Sequence, residues 1–277
     1  EFDLNVKLIQ KKDWYWDMSV NGYTYANKML NLPDEYKVSG MPNGNQRIYE
    51  GKDIYRWEMR QFAGLDEKGN SLWYMDQDIL DDAGNVVGVE KVTTGDATEA
   101  TQYLLEKSAL PDFTGGLNTT LRWKSLDLTI MTNFQFGGYG YDYDFSAFSS
   151  ANFPMNRLKN YADAWNPETG KGSAPIWNTN DSNINASSDR FLISKTYFNL
   201  RNITLGYTFP ANWMSKIGIK SVRVYFACDN VFFASKRKGY DPRTSMGGQG
   251  ATVALNSVDG TYYSPIRTTS VGLNINF

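Results

Sequence analysis

The sequence predicts an all-β protein: about seven strands of a larger antiparallel transmembrane β-barrel, with long extracellular loops. Apolar and polar residues alternate with a period of two in separate segments along the chain. The connections between these segments are short and long in turn. Aromatic residues make up 15% of the 277 residues, and their rings suit both membrane interfaces and sugar-binding surfaces.

The period-two segments define the strands, because successive side chains of a strand point to opposite faces. In the first segment Phe2, Leu4 and Val6 alternate with Asp3 and Asn5. Each such segment therefore has one apolar and one polar face. The segments cover residues 2–8, 14–21, 117–123, 126–136, 202–209, 222–229 and 271–277.

The connections distinguish a membrane barrel from a soluble β-sandwich, which the alternation alone also fits. Those predicted to be short are Gln10–Asp13, Lys124-Ser125 and Pro210–Lys220. Those predicted to be long are Thr24–Asp112, Gly137–Ser194 and Phe233–Ser264. Outer-membrane barrels have short periplasmic turns on one rim and long extracellular loops on the other. We therefore expect the long loops to face outward and Phe277 to be periplasmic.

The strand count predicts that the barrel is larger than this chain. A single-chain bacterial barrel has an even number of strands, and about seven do not close one. An open strand edge in lipid leaves backbone amides and carbonyls without partners. We expect strands outside residues 1–277 to pair with the outer edges of Phe2–Leu8 and Arg267–Phe277.

The composition argues against several functional classes. The net charge is -2 and no basic run is present, so we expect no nucleic-acid partner. The chain has no histidine and one cysteine, Cys228, which leaves no His-based triad, no internal disulfide and no thiolate cage. Asp142 and Asp144 have the spacing of a carboxylate pair on one strand face, but acidic loop ends are common. We expect no catalytic residue and no cofactor.

Local patterns in the long loops predict further elements. Asp96–Lys107 and Asn156–Trp165 have helical character. Ile54–Phe62 and Leu72–Met75 are predicted to pair as a hairpin around the turn Asp66–Gly69.

The parity of the strands predicts which side chains face lipid. Charges in the hydrocarbon cost about 2–4 kcal/mol at the midplane, so the alternation should be obeyed there. The apolar set is predicted to face lipid and comprises Leu121, Leu128, Ile130, Leu205, Val224 and Leu273. The polar set is predicted to face the lumen and comprises Arg122, Asp127, Asn133, Arg223 and Asn274.

Four segments in the last third of the chain carry a family resemblance. They are Asn202–Pro210 (NITLGYTFP), Asp229–Phe232 (DNVF), Lys238–Pro242 (KGYDP) and Arg267–Phe277 (RTTSVGLNINF). With these segments the chain resembles the SusC/RagA family of TonB-dependent outer-membrane transporters. Gly115–Asn118 agrees with the same family order.

The resemblance implies a C-terminal part of a larger plugged barrel, with the plug domain and the earlier strands absent from this chain. It implies TonB-driven import of a glycan or a peptide, and a surface lipoprotein partner of the SusD type. Outer-membrane lipid would surround the barrel. Two alternatives stay open: a passive outer-membrane porin and a soluble carbohydrate-binding β-sandwich.

Aromatic residues of the loops are the candidate ligand contacts, because aromatic rings stack on planar or apolar ligand faces. The candidates are Trp73, Tyr139, Tyr141, Tyr143, Trp165, Trp177 and Tyr240. The three alternating tyrosines 139, 141 and 143 are predicted to form a row on one strand face. The competing interpretation makes these rings an interface girdle or anchors for loop packing.

Overall fold

The computed structural model describes residues 1–149, 163–178, 183–184, 186–214, 218–236 and 265–277. Strands dominate this part of the chain. The helices found there are short, and none has the length and apolar character needed to cross a membrane.

The elements follow one another in chain order. The first nine strands are β1 (Phe2–Gln10), β2 (Trp14–Tyr23), β3 (Met41–Asn43), β4 (Gln46–Ile48), β5 (Arg56–Arg60), β6 (Phe62–Leu65), β7 (Ser71–Leu80), β8 (Val86–Thr94) and β9 (Gln102–Ser108). The later elements are β10 (Pro111–Trp123), β11 (Leu126–Gly137), β12 (Tyr139–Tyr141), α1 (Tyr143–Phe148), β13 (Leu192–Ser194), β14 (Tyr197–Thr208), α2 (Ala211–Met214), β15 (Ser221–Ser235) and β16 (Thr268–Asn276).

A seven-stranded antiparallel sheet is the main feature of the structure, and it confirms the predicted strands. Its order is β1-β2-β10-β11-β14-β15-β16, so every strand pairs with its sequence neighbour in the sheet. β1 and β16 are the two edges and do not pair with each other in the described part of the chain. The sheet therefore has two open edges.

The predicted tight turns lie side by side on one rim of the sheet. At Gln10–Asp13 the amide of Lys11 donates to the carbonyl of Trp14 over 2.8 Å. Lys124 has a φ of 52°, as a two-residue hairpin turn requires. The amide of Lys124 also donates to the carbonyl of Asp13 over 2.8 Å, which joins the two turns.

The register places the predicted apolar and polar sets on opposite faces of the sheet, as expected. Opposed residues of antiparallel strands share a face. One row of the apolar face consists of Trp16, Leu121, Leu128, Leu205, Phe226 and Val271. The next row, on the polar face, consists of Tyr15, Arg122, Asp127, Gly206, Tyr225 and Gly272.

No second layer covers the apolar face in the described structure. Phe2, Phe226 and Leu273 are 49%, 45% and 58% exposed. A sandwich would bury this face against a second sheet. The structure thus contradicts the alternative of a soluble β-sandwich.

The strand register shifts at several points of the main sheet, including one between Pro111 and Phe113 in β10. A bulge lies between Lys7 and Ile9 in β1. On β14 and β15 the register shifts around Arg201 and Asn230, and Asn230 has a φ of 50°. Beyond this point Phe232 shares the apolar face with Phe198, through pairs that the sequence pattern did not predict.

The polar face carries an ion pair that spans three strands. Arg223 on β15 donates to both carboxylate oxygens of Asp127 on β11, over 3.0 and 2.5 Å. β14 lies between them and contributes Gly206, where a Cβ would overlap both side chains. The absence of a side chain at Gly206 therefore allows the pair to form.

The predicted helix at Asp96–Lys107 is wrong. Its second half is the strand β9, which pairs with β5 and buries Leu105. The carboxylate of Asp96 accepts a 2.8 Å hydrogen bond from the amide of Thr98, so it caps a turn rather than a helix. Pairing with an available strand edge outweighs the local helical preference. The predicted helix Asn156–Trp165 lies mostly outside the described residues.

The predicted loop hairpin is correct in its turn and wrong in part of its pairing. Phe62–Leu65 pairs with Ser71–Trp73 around the turn Asp66–Gly69. Arg56–Arg60 pairs with β9 instead. The first strand of the predicted hairpin is therefore divided between two sheets.

Replacing Gly206 with valine should separate Arg223 from Asp127 and destabilise the barrel by about 1–3 kcal/mol, because the new side chain overpacks the row. Urea unfolding of the full-length protein in detergent, followed by the heat-modifiable shift on gels, measures this loss. Thr204→Val is the matched control, since Thr204 is on the same strand and face as Gly206. Equal midpoints for the two variants would contradict this account.

Candidate functional site

The two long excursions from the sheet fold together into one loop domain. Residues 24–110 supply β3 to β9, and residues 138–196 supply β12, α1 and β13. They share a core whose buried members are Trp57, Met59, Leu105, Ala109, Tyr141, Phe191 and Leu192. Burial of these side chains provides the main stabilisation of the domain.

Hydrogen bonds join the two excursions at several points. The indole of Trp57 donates to the carbonyl of Tyr139 over 3.2 Å. The amide of Phe62 donates to the carboxylate of Asp189 over 2.9 Å. The amide of Ile176 donates to the carbonyl of Gly69 over 2.8 Å. The described parts of the two excursions thus form a folded unit at one end of the sheet, opposite the rim of tight turns.

A two-stranded ribbon formed by β7 and β8 extends from this domain. At its base Trp73 is 2% exposed, whereas near its tip Leu80 is 58% exposed. Asp81 holds the tip turn by accepting hydrogen bonds from the amides of Ala83 and Asn85. The bond from the Asn85 amide is the main reason why the pKa of Asp81 is lowered.

Tyr103 on β9 attaches the ribbon to the rest of the loop domain. Its hydroxyl donates to the carboxylate of Asp76 over 2.6 Å. The ammonium of Lys91 lies 4.3 Å from the ring centroid of Tyr74 and 4.4 Å from that of Tyr103. Burial and the bond to Asp76 raise the pKa of Tyr103 to about 12.

Hydrogen bonds between side chains also link the strands at the end of the sheet next to the loop domain. Asn199 is 1% exposed and donates to the side-chain carbonyl of Asn133 over 2.9 Å. Asn133 in turn donates to the hydroxyl of Tyr197 over 3.2 Å. Nearby in sequence, burial lowers the pKa of Lys195 to about 8. No sequence signal marks Lys195, because a lysine before a strand ordinarily indicates a solvated position.

The predicted ligand contacts fall into different environments. Trp73 and Tyr141 are core residues, 2% and 3% exposed, and Tyr139 packs against the same core as Tyr141. Tyr143 and Trp177 are 44% and 45% exposed. Tyr240 lies outside the described residues. Ligand binding by these residues stays a prediction, and the exposed rings are the accessible ones.

The predicted tyrosine row is interrupted. β12 ends at Tyr141, and Asp142 is the N-cap of α1, where its carboxylate accepts from the amide of Phe145 over 2.9 Å. Tyr143 is the first residue of α1 and meets Tyr141 edge to face at 4.8 Å. Asp144 is within the same helix, so the two aspartates do not share a strand face.

Trp165 lines an open cleft of about 620 Å³ with Phe62, Leu65, Glu67 and Ser173. Gly69 and Gly172 approach the Trp165 ring and backbone so closely that a Cβ on either would overlap them. The cleft combines aromatic walls with the carboxylates of Asp66 and Glu67, an arrangement suited to a polar organic ligand. In the described residues no group of acidic, histidine or cysteine side chains is arranged to hold a metal ion.

The Tyr103 hydroxyl should ionise at a pH of about 12 rather than near 10, the ordinary value for tyrosine. Because the folded-state pKa is raised, the stabilisation is complete below pH 10 and is lost as the pH rises toward 12. The difference in tyrosinate absorbance between the wild type and Tyr103→Phe during titration measures this pKa. Asp76→Asn should lower it, and an unchanged titration in that variant would refute the role of the bond.

Comparison with known proteins identifies relatives that are similar to the whole of this chain. No protein-family model matches the chain. TonB-dependent receptor P3 of Formosa agariphila is 24% identical over 298 residues, covering 100% of this chain and 28% of the relative. TonB-dependent receptor SusC of Bacteroides thetaiotaomicron is 26% identical over 284 residues, covering 100% of this chain and 26% of the relative. The chain thus spans little more than a quarter of these relatives.

Solved structures agree with the sequence relatives. A structure of the RagAB peptide transporter matches with a TM-score of 0.73 and 25% identity, over 99% of this chain and 28% of that chain. The RagAB peptide importer in its closed-closed state matches with a TM-score of 0.71 and the same identity, over 99% of this chain and 29% of that chain. The names of these relatives are those of receptors and transporters. The chain is therefore similar, over its whole length, to TonB-dependent receptors of the SusC/RagA type, and its antiparallel all-β fold matches a segment of their barrel.

Proposed function

We propose that this chain forms part of the wall and the outer loops of a transporter that imports a peptide or a glycan across the outer membrane by a TonB-coupled mechanism. The observation that carries the proposal is the uncovered two-faced sheet, with tight turns on one rim and a folded loop domain on the other. This arrangement suits a barrel wall.

The apolar face is assigned to lipid and the polar face to the lumen. In the described strands, the regularly paired residues of the apolar face are uncharged. The polar face carries Arg122 and the pair of Asp127 with Arg223. If the polar face met hydrocarbon, each arginine at the midplane would cost about 2–4 kcal/mol. The polar face is therefore assigned to the lumen.

Further strands and a plug complete the assembly. The outer edges of β1 and β16 have unpaired backbone groups, each costing several kcal/mol in lipid. A barrel of about 22 strands with a plugged lumen would satisfy both edges. Residues 1–277 would then be its C-terminal part, and the plug would connect to the TonB system.

The loop domain is assigned to the extracellular side, with a SusD-like surface lipoprotein as its partner. Folded loops of this size are found on the outer rim of such barrels. Thr24–Asp112 contributes most of the described loop surface, and we assign the lipoprotein contact to it or to Phe233–Ser264. Cargo would meet the exposed rings of the domain and the cleft beside Trp165.

Cysteine labelling tests the orientation. In a receptor otherwise free of cysteine, with Cys228 replaced by alanine, a membrane-impermeant maleimide should label Asp82→Cys at the ribbon tip in intact cells. It should label Lys12→Cys, in the β1–β2 turn, only after the outer membrane is permeabilised. The opposite pattern would reverse the assignment of the two rims.

Uptake measurements test the transport activity. Cells with the full-length receptor should take up a pool of oligopeptides or oligosaccharides, and loss of TonB should abolish this uptake. Trp165→Ala should reduce uptake at limiting cargo by about fivefold or more, because truncated aromatic anchors lose more than about 1 kcal/mol. Trp213→Ala is the control, since Trp213 is 55% exposed in α2, between β14 and β15 and away from the loop domain.

The uptake results distinguish a TonB-coupled transporter from a passive porin, and they test the role of the cleft separately. Uptake that persists without TonB would indicate a passive porin. Equal losses in the Trp165 and Trp213 variants would remove the cleft from the cargo path without affecting the transport proposal.

A further inference from the structure

We propose that the apolar face holds a binding site for one anionic diacyl phospholipid, located beside the β1–β2 and β10–β11 turns. The proposal rests on the proposed function, because it requires this face to meet lipid. Two observations carry it: an apolar groove in the face, and a cluster of three lysines at the end of that groove.

The groove has a volume of about 380 Å³ and crosses four strands. Ile9, Trp16, Thr119, Leu128 and Ile130 line it. The indole of Trp16 donates to the hydroxyl of Thr119 over 2.8 Å, and that hydroxyl donates to the carbonyl of Asp17 over 2.8 Å. The side-chain polar atoms of Trp16 and Thr119 are thus hydrogen-bonded, and the surface left to a ligand is mainly hydrocarbon.

The other end of the same face is filled. There Phe113 stacks on Phe2, Phe134 and Phe136 with centroid distances of 6.2, 6.0 and 6.5 Å. A Cβ on Gly22 would overlap the Phe113 ring, so the rings lie close against the strands. The groove is therefore a local feature of the turn end, whereas general lipid contact would involve the whole face.

The lysines lie where a lipid headgroup would be. Lys11 and Lys12 are exposed in the β1–β2 turn, and Lys124 is exposed in the adjoining turn. The ammonium of Lys124 lies 5.6 Å from the ring centroid of Trp123. The Trp123 ring contacts Trp14 at the groove mouth, with centroids 5.7 Å apart and planes tilted by 30°.

These two turns carry three positive charges against one carboxylate, that of Asp13. In the described part of the chain none of the three lysines forms an ion pair. Clusters of lysine beside an apolar membrane surface attract anionic headgroups. An acyl chain in the groove and a phosphate at the lysines would satisfy both parts of the site.

The source of the phosphate follows from the proposed orientation. The tight turns are assigned to the periplasmic rim, where the adjacent leaflet consists of glycerophospholipid. Lipid A, whose phosphates could also bind lysine, belongs to the opposite leaflet. The site is therefore assigned to a phospholipid such as phosphatidylglycerol.

Native mass spectrometry of the full-length receptor, extracted in detergent and incubated with phosphatidylglycerol or phosphatidylcholine, tests the site. The wild type should retain one phosphatidylglycerol in preference to phosphatidylcholine. The combined variant Lys11→Gln, Lys12→Gln and Lys124→Gln should weaken this binding at least about tenfold. Thr119→Trp should weaken it by filling the groove, with the charges intact.

Two matched controls should bind as the wild type does. Lys220→Gln removes a charge beside the β14–β15 connection, and Leu205→Trp adds a ring to the apolar face outside the groove. Equal retention of both lipids, or equal loss in the control variants, would show nonselective lipid contact and overturn the site. Selective retention of co-purified lipid A in place of phosphatidylglycerol would also overturn it.

The behaviour of the receptor during extraction distinguishes a failure of the membrane assignment from a failure of the lipid site alone. A receptor that stays monodisperse without detergent would refute the membrane assignment itself. A detergent-dependent receptor that imports cargo but retains no phosphatidylglycerol would refute the lipid site alone.

Discussion

Backbone hydrogen bonds in the plane of one sheet are the constraint on which the rest of this structure depends. Because these bonds use the in-plane directions, the side chains of seven neighbouring strands project to two opposite faces. A soluble protein would bury one of these faces under a second layer. In the described residues no second layer covers the apolar face, and the proposed assignment gives this face to lipid and the polar face to the lumen.

The two rims of the sheet differ because their connections differ in length. The tight turns have too few residues to form a core, and their lysines are exposed. The long excursions have enough apolar residues to build a core of their own around Trp57 and Phe191. That core gives the loop domain a defined shape.

Small residues determine where side chains cross between strands. Gly206 permits the contact of Asp127 with Arg223, and Gly272 permits the Tyr225 ring to lie over its strand. On the opposite face Thr119 is small enough to form the floor of a groove beside Trp16. In each case a short side chain on one strand creates the space that a long side chain on its neighbour occupies.

The sequence by itself determined the seven strands, the tight turns and the two faces, because a period of two and a turn of two residues are local properties. Val224 and Leu273, for example, are opposed on one face of the sheet, as parity alone predicts. The tertiary structure decided the rest. Trp57 and Trp73 are buried and Trp177 is exposed, although all three are loop tryptophans in sequence. Gln102–Ser108 is a strand because β5 offers it an edge. These outcomes depend on which distant segments meet, and no local pattern of residues encodes that contact.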